Sequence, residues 1–197
     1  MANPPLIERD FVTIVSGLPR SGTSMMLRML TAGGLPILTD GVRAADDDNP
    51  HGYLEWEGVK SLKRDASWVA AARGKGVKVI YYWLRDLPLD CHYRVIFMRR
   101  ELDEVLASQS AMLKRRGVRE QAPDDARMQR LFEGELQEID EWLAGQPMFS
   151  VLDVDYRAVV NVPTVQAERV NSFVGGGLDC QAMATKVDPA LYRCRTT

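Results

Sequence analysis

The segment Gly17–Ser24, which reads Gly-Leu-Pro-Arg-Ser-Gly-Thr-Ser, holds the residues best suited to bind an anion. Its two glycines have the G-x-x-x-x-G spacing of nucleotide-binding loops, but Thr23 stands where a nucleoside triphosphatase has its lysine. The cation is Arg20, inside the loop. Without that lysine, binding of the β and γ phosphates of ATP with magnesium is disfavoured, whereas a single phosphate beside a transferring group still fits.

The elements around this segment support an anion site. An apolar run at 11–15 predicts a buried strand, and good helix formers at 25–30 predict a helix. The loop between them would present backbone N–H groups at a helix N-terminus, where the helix dipole also favours negative charge. A strand-to-helix turn without a ligand is the alternative, but such a turn needs neither two spaced glycines nor three hydroxyls beside an arginine.

The segment resembles the 5′-phosphosulfate loop of sulfotransferases that use 3′-phosphoadenosine 5′-phosphosulfate (PAPS). Its Pro-Arg-Ser-Gly-Thr form looks more like the tyrosylprotein and bacterial members than the cytosolic ones. The resemblance implies that Arg20 is catalytic, in contact with the 5′-phosphate and the bridging oxygen, and that no metal is needed. It also implies a set of cofactor-binding residues in the loop: Pro19, Arg20, Ser21, Gly22, Thr23 and Ser24.

A second segment, Arg100–Ser108, resembles the 3′-phosphate site of the same family, in which an arginine at a strand end precedes a serine by eight residues. Leu102 replaces the usual proline and Glu101 the usual Asp or Asn, so Arg99 remains an alternative to Arg100. The other interpretation is a solvated helix start, with acidic side chains near the positive end of the dipole.

The general base is less clearly indicated. The segment Asn49–Glu55, which reads Asn-Pro-His-Gly-Tyr-Leu-Glu, resembles an Asn-Pro-x-Gly-Tyr-x-Glu segment of bacterial sulfotransferase-like proteins. The resemblance makes Glu55 the first candidate for the general base. His51 competes because an imidazole titrates near neutral pH. Each could instead be a surface side chain without a catalytic role.

The order of predicted elements favours an α/β fold with a parallel sheet flanked by helices, and the length favours a single domain. The resemblance implies that the sheet is of the P-loop type and that 1–197 is one sulfotransferase-like domain. Further strands are predicted at 77–81, 93–98 and 149–154, and helices at 59–73, 102–116, 124–143 and 162–174. The segment 35–58 lacks periodicity and is predicted to be a long loop. That loop and the segment 114–123 are where we expect the acceptor to be recognised.

Composition narrows the class of protein. A net charge of −2 and a pI near 5.8 argue against broad nucleic-acid binding. No apolar run is long enough for a membrane span and the N-terminus lacks a signal-peptide layout, so a cytoplasmic protein is expected. The three cysteines show no C-x-x-C spacing, and we predict reduced thiols and no metal site.

Taken together, the sequence predicts a PAPS-dependent sulfotransferase that acts on a hydroxyl or amine of a small-molecule or peptide acceptor and releases 3′,5′-ADP. Two alternatives remain open. One is a small nucleotide kinase of the same topology, and the other is a non-catalytic binder of PAPS or 3′,5′-ADP. The segment Lys186–Arg193 also resembles a recurring tail of bacterial members, and we expect it to dock on the domain.

Overall fold

The centre of the molecule is a sheet of four parallel strands in the order β2-β1-β3-β4. The computed structural model describes residues 9–115, 117 and 125–194. The strands are β1 (Val12–Gly17), β2 (Gly76–Lys78), β3 (Tyr93–Arg99) and β4 (Phe149–Asp155). The predicted parallel α/β class is confirmed.

Helices cover both faces of this sheet. They are α1 (Thr23–Ala32), α2 (Trp68–Ala71), α3 (Leu102–Arg115), α4 (Asp125–Ala144), α5 (Tyr156–Asn161), α6 (Pro163–Phe173) and α7 (Cys180–Ala184). Three 3₁₀ turns add Glu57–Ser61, Tyr81–Asp86 and Pro189–Leu191. Helices α2, α3 and α4 pack on one face, and α1, α5, α6 and α7 pack on the other.

The strands divide their side chains between two hydrophobic clusters because successive residues point to opposite faces. Ile14 and Phe97 belong to the cluster under α3 and α4, whereas Val15 and Ile96 belong to the cluster under α1 and α6. All four are completely buried. Burial of each such side chain stabilises the fold by roughly 1.5–3 kcal/mol, which explains why β1 and β3 read as continuous apolar runs.

Several predicted elements are confirmed with small shifts in their bounds. Pro163 is the first residue of α6, where its missing N–H costs nothing. Helix α3 begins at Leu102 as predicted, and position 116 lies outside the described residues, as does most of the segment 114–123. The segment 35–56 contains no helix or strand, which confirms the predicted long loop.

The predicted helix over 59–73 is wrong. The structure has the 3₁₀ turn Glu57–Ser61 and then the single turn of α2. Between them the carboxylate of Asp65 accepts the N–H of Ser67 at 2.9 Å, a local bond that competes with helical pairing. The predicted strand at 77–81 is also shorter, because β2 ends at Lys78.

Candidate functional site

The loop between β1 and α1 has three residues with left-handed backbone. Gly17 has φ +139° and Gly22 has φ +102°. A Cβ on Gly17 would lie 2.6 Å from the Met98 carbonyl oxygen, and one on Gly22 would lie 2.5 Å from the ring of Tyr156. Both positions therefore require glycine for conformation and for space.

Arg20 is the third residue of this loop with a left-handed backbone, at φ +73°. This conformation costs a residue other than glycine about 1 kcal/mol or more. Such strain persists only where surrounding contacts impose it. Here the Arg100 guanidinium donates to the Arg20 carbonyl at 3.0 Å. The strained position turns the Arg20 side chain toward a cavity of about 430 Å³.

This cavity lies at the carboxyl edge of the sheet, where ligands bind in α/β proteins. The loop, one face of α3, the segment 43–55 and the chain after α7 line it. Its volume is in the range of small-molecule sites.

The two predicted cofactor subsites adjoin in this cavity. Arg20 Nε donates to Ser108 Oγ at 3.0 Å, and Arg20 Nη2 donates to the Asp48 carbonyl at 3.2 Å. Arg100 and Ser108 both line the cavity. Arg99, the alternative to Arg100, instead bonds Asp153 at 2.6 Å on the exposed side of β4.

Arg100 is held by a buried carboxylate. Its Nε donates to Glu104 at 3.0 Å, and the Glu104 side chain is 1% exposed. Glu104 also accepts from the Tyr192 hydroxyl at 2.6 Å and from Arg157 at 3.1 Å. The Arg100 guanidinium lies 4.3 Å from the centre of the Tyr156 ring. These contacts fix its direction before any ligand binds.

The other loop residues divide into two groups. Pro19, Gly22, Thr23 and Ser24 line the cavity together with Arg20. Ser21 does not. Its side chain is buried beneath Gly17, and its N–H donates to the Leu18 carbonyl at 3.1 Å, so it faces the protein interior.

Lys78, which the sequence analysis did not single out, is the last residue of β2 and lines the same cavity. Its ammonium donates to Ser24 Oγ at 2.9 Å and to the Tyr53 carbonyl, and it lies 3.7 Å from Glu55 Oε1. Burial lowers the pKa of Lys78 to about 8, although the Glu55 carboxylate acts in the opposite direction. The available signal was a lysine within the otherwise apolar strand predicted at 77–81.

The two candidate bases differ in position. Glu55 lines the cavity, its side chain is 19% exposed, and it pairs with Arg43 at 3.0 Å as well as with Lys78. His51 is exposed and is not among the lining residues in the described part of the chain. Nearby, Asn49 Nδ2 donates to Ser24 Oγ at 3.0 Å, which joins the segment 49–55 to the loop.

Within residues 9–115, 117 and 125–194, no group of three or more His, Cys, Asp or Glu side chains could hold a metal ion. The same residues contain no helix long and apolar enough to span a membrane. The three cysteines are free thiols.

No protein-family model and no curated protein matches the chain. Two of the solved structures that match it are sulfotransferase domains. One is the sulfotransferase domain from the Synechococcus PCC 7002 olefin synthase, with a TM-score of 0.52, 14% identity, and coverage of 100% of this chain and 92% of that chain. The other is the sulfotransferase domain from the curacin biosynthetic pathway, with a TM-score of 0.54, 16% identity, and coverage of 90% and 78%. The chain has the fold of a sulfotransferase domain.

Proposed function

We propose that the protein is a sulfotransferase that moves a sulfuryl group from PAPS to a hydroxyl or amine acceptor. The proposal depends above all on one observation. The anion-binding loop, a buried ammonium and a carboxylate meet in a single cavity, because Lys78 lies 2.9 Å from Ser24 Oγ and 3.7 Å from Glu55. Sulfuryl transfer needs an anion site, a positive charge and a proton acceptor at close range.

The residues present fit this donor. The loop offers backbone N–H groups at the start of α1 and the hydroxyls of Thr23 and Ser24. Arg20 bonds only neutral oxygen atoms in the described structure, so its charge is available to an anion. When bound, PAPS supplies the sulfuryl group, and the S–O bond to its 5′-phosphate breaks to release 3′,5′-ADP.

Each residue then has a definite task. Arg20 stabilises the charge that develops on the leaving phosphate oxygen. Lys78 donates to the oxygens of the transferring group, since its protonated form already reaches the loop at Ser24. Glu55 accepts the proton of the attacking hydroxyl or amine. Arg100 and Ser108 bind the 3′-phosphate.

A binding experiment tests the donor. We would measure thermal unfolding with 3′,5′-ADP, with 5′-AMP, and with ATP plus magnesium, because a ligand that binds the folded state raises Tm. A larger rise with 3′,5′-ADP than with 5′-AMP is expected. A rise only with ATP plus magnesium would replace this proposal with the kinase.

A transfer assay tests the chemistry. With PAPS and a panel of hydroxyl and amine acceptors, Arg20→Ala should lower transfer by a factor on the order of 10² or more. Arg64→Ala, an exposed arginine away from the cavity, is the matched control. Binding of 3′,5′-ADP without transfer to any acceptor would favour the non-catalytic binder.

A further inference from the structure

Arg28 is a cation in the wall of the cavity that has no role in the proposed sulfuryl transfer. It lies on α1, one helical turn after Ser24, and lines the cavity. Its Nη1 atom is buried without a hydrogen-bond partner, and no carboxylate lies within ion-pair distance in the described structure. Burial lowers the pKa of Arg28, and Asp188 and Tyr156 oppose this only in part.

Most other cations of the cavity wall already have a carboxylate partner. The pairs are Arg43 with Glu55, Lys78 with Glu55, Arg100 with Glu104, and Arg115 with Asp48. Asp188, the acid that acts on Arg28, uses one oxygen to accept the Ala190 N–H at 2.9 Å. Arg28 therefore keeps a positive charge that no described side chain neutralises at close range.

The positive charge of Arg100, unlike that of Arg28, has a carboxylate partner in the described structure. Arg100 donates to Glu104, to the Arg20 carbonyl and to the Cys194 carbonyl, all within 3.1 Å. Its Nε donates to Glu104, which also pairs with Arg157, and its two Nη atoms donate to backbone carbonyls. A phosphate monoester at neutral pH carries between one and two negative charges. Because Arg20 is assigned to the 5′-phosphate, a second cation for a phosphate at this subsite has to come from another residue of the cavity wall.

Arg28 is in a position to be that cation. The Arg100 guanidinium lies 4.3 Å from the centre of the Tyr156 ring, and Tyr156 is also one of the groups that act electrostatically on Arg28. Arg28, Arg100 and Tyr156 line the same cavity, together with the chain after α7.

We propose that Arg28 binds the 3′-phosphate of the nucleotide together with Arg100, as a cation of the same cavity that has no carboxylate partner among the described residues. This inference rests on the proposed function. It adds Arg28 to Arg100 and Ser108 as a residue that favours a 3′-phosphorylated nucleotide over a plain 5′-nucleotide.

Calorimetric titration tests this assignment. We would measure the Kd of 3′,5′-ADP and of 5′-AMP for wild type, Arg28→Gln and the control Arg64→Gln, which removes the same charge at an exposed site. Arg28→Gln should weaken 3′,5′-ADP about tenfold or more, because a charged hydrogen bond is lost, and change 5′-AMP less than about twofold. Arg64→Gln should change neither Kd.

The stability of the free protein separates binding from a structural role. Because burial disfavours the Arg28 charge, Arg28→Gln should leave the ligand-free Tm unchanged or raise it. A lower Tm with both ligands weakened equally would mean that Arg28 is structural, and the proposal would fail. Arg28→Lys, which keeps the charge, provides a second variant and should retain part of the preference for 3′,5′-ADP.

The remaining outcomes are also decisive. Unchanged binding of 3′,5′-ADP by Arg28→Gln overturns the role of Arg28 and leaves the sulfotransferase proposal in place. If wild type binds neither nucleotide, the sulfotransferase proposal fails and this assignment fails with it.

Discussion

The free energy of unfolding should increase at alkaline pH, because the buried ammonium of Lys78 loses its proton there. Lys78→Met should remove this pH dependence. The side chain is 5% exposed, and burial lowers its pKa from 10.5 to about 8. The unfolded chain thus binds this proton more tightly than the folded one. Between pH 8 and 10.5 the unfolded state holds more protons, so the free energy of unfolding rises with pH.

The difference between the two pKa values sets the magnitude. It corresponds to about 3 kcal/mol over the full range, and about 2 kcal/mol of this falls between pH 7 and pH 9.5. Below pH 8 both states are protonated and the folded protein bears the whole cost of the buried charge. Lys78→Met removes the charge and with it this cost.

Urea unfolding at pH 7, 8 and 9.5 measures the effect. The informative quantity is the difference in the free energy of unfolding between Lys78→Met and wild type at each pH, because other titrating groups cancel. We expect that difference to shrink by about 2 kcal/mol from pH 7 to pH 9.5. Lys186→Met, at an exposed site, is the matched control. A difference that stays constant within about 0.5 kcal/mol would refute a buried, charged Lys78.

Three further predictions concern the same cavity. Gly22→Ala should lower the free energy of unfolding by about 1–3 kcal/mol, because its Cβ would lie 2.5 Å from the Tyr156 ring at φ +102°; an unchanged urea midpoint would contradict this. Glu104→Gln should destabilise the protein by about 3–5 kcal/mol, since it leaves buried arginine charge uncompensated, and a thermal or urea melt checks it. Sulfuryl transfer should slow as the pH rises through about 8, because Lys78 is deprotonated there and no longer offers a positive charge to the transferring group. A rate that keeps rising to pH 9 would exclude this role for the Lys78 ammonium.

Much of the fold follows from local sequence patterns. Apolar runs predicted β1 and β3, because a strand covered on both faces needs apolar side chains on both. The loop of Gly17 and Gly22 was predictable for the same kind of reason, since only glycine tolerates its backbone and its close contacts.

The parts that were missed depend on contacts between distant residues. The 59–73 segment has helical composition, but a side-chain bond at Asp65 divides it. Lys78 looks like an ordinary polar residue of a short strand until the sheet places it beside Ser24, 54 residues earlier in the sequence. Arg43, which pairs with Glu55, lies in a loop whose path no periodicity describes. The same holds for the Arg20 and Cys194 carbonyls that accept from Arg100.

The chain after α7 has a consequence for the handling of the protein. The Tyr192 hydroxyl bonds Glu104, the Cys194 carbonyl accepts from Arg100, and both Arg193 and Cys194 line the cavity. A peptide or affinity tag fused directly to Cys194 would therefore start beside the proposed nucleotide subsite. A fusion made directly at Arg9 would start instead near the amino end of β1, at the opposite edge of the sheet. Rates measured on preparations with tags at different ends would therefore differ because of the position of the tag.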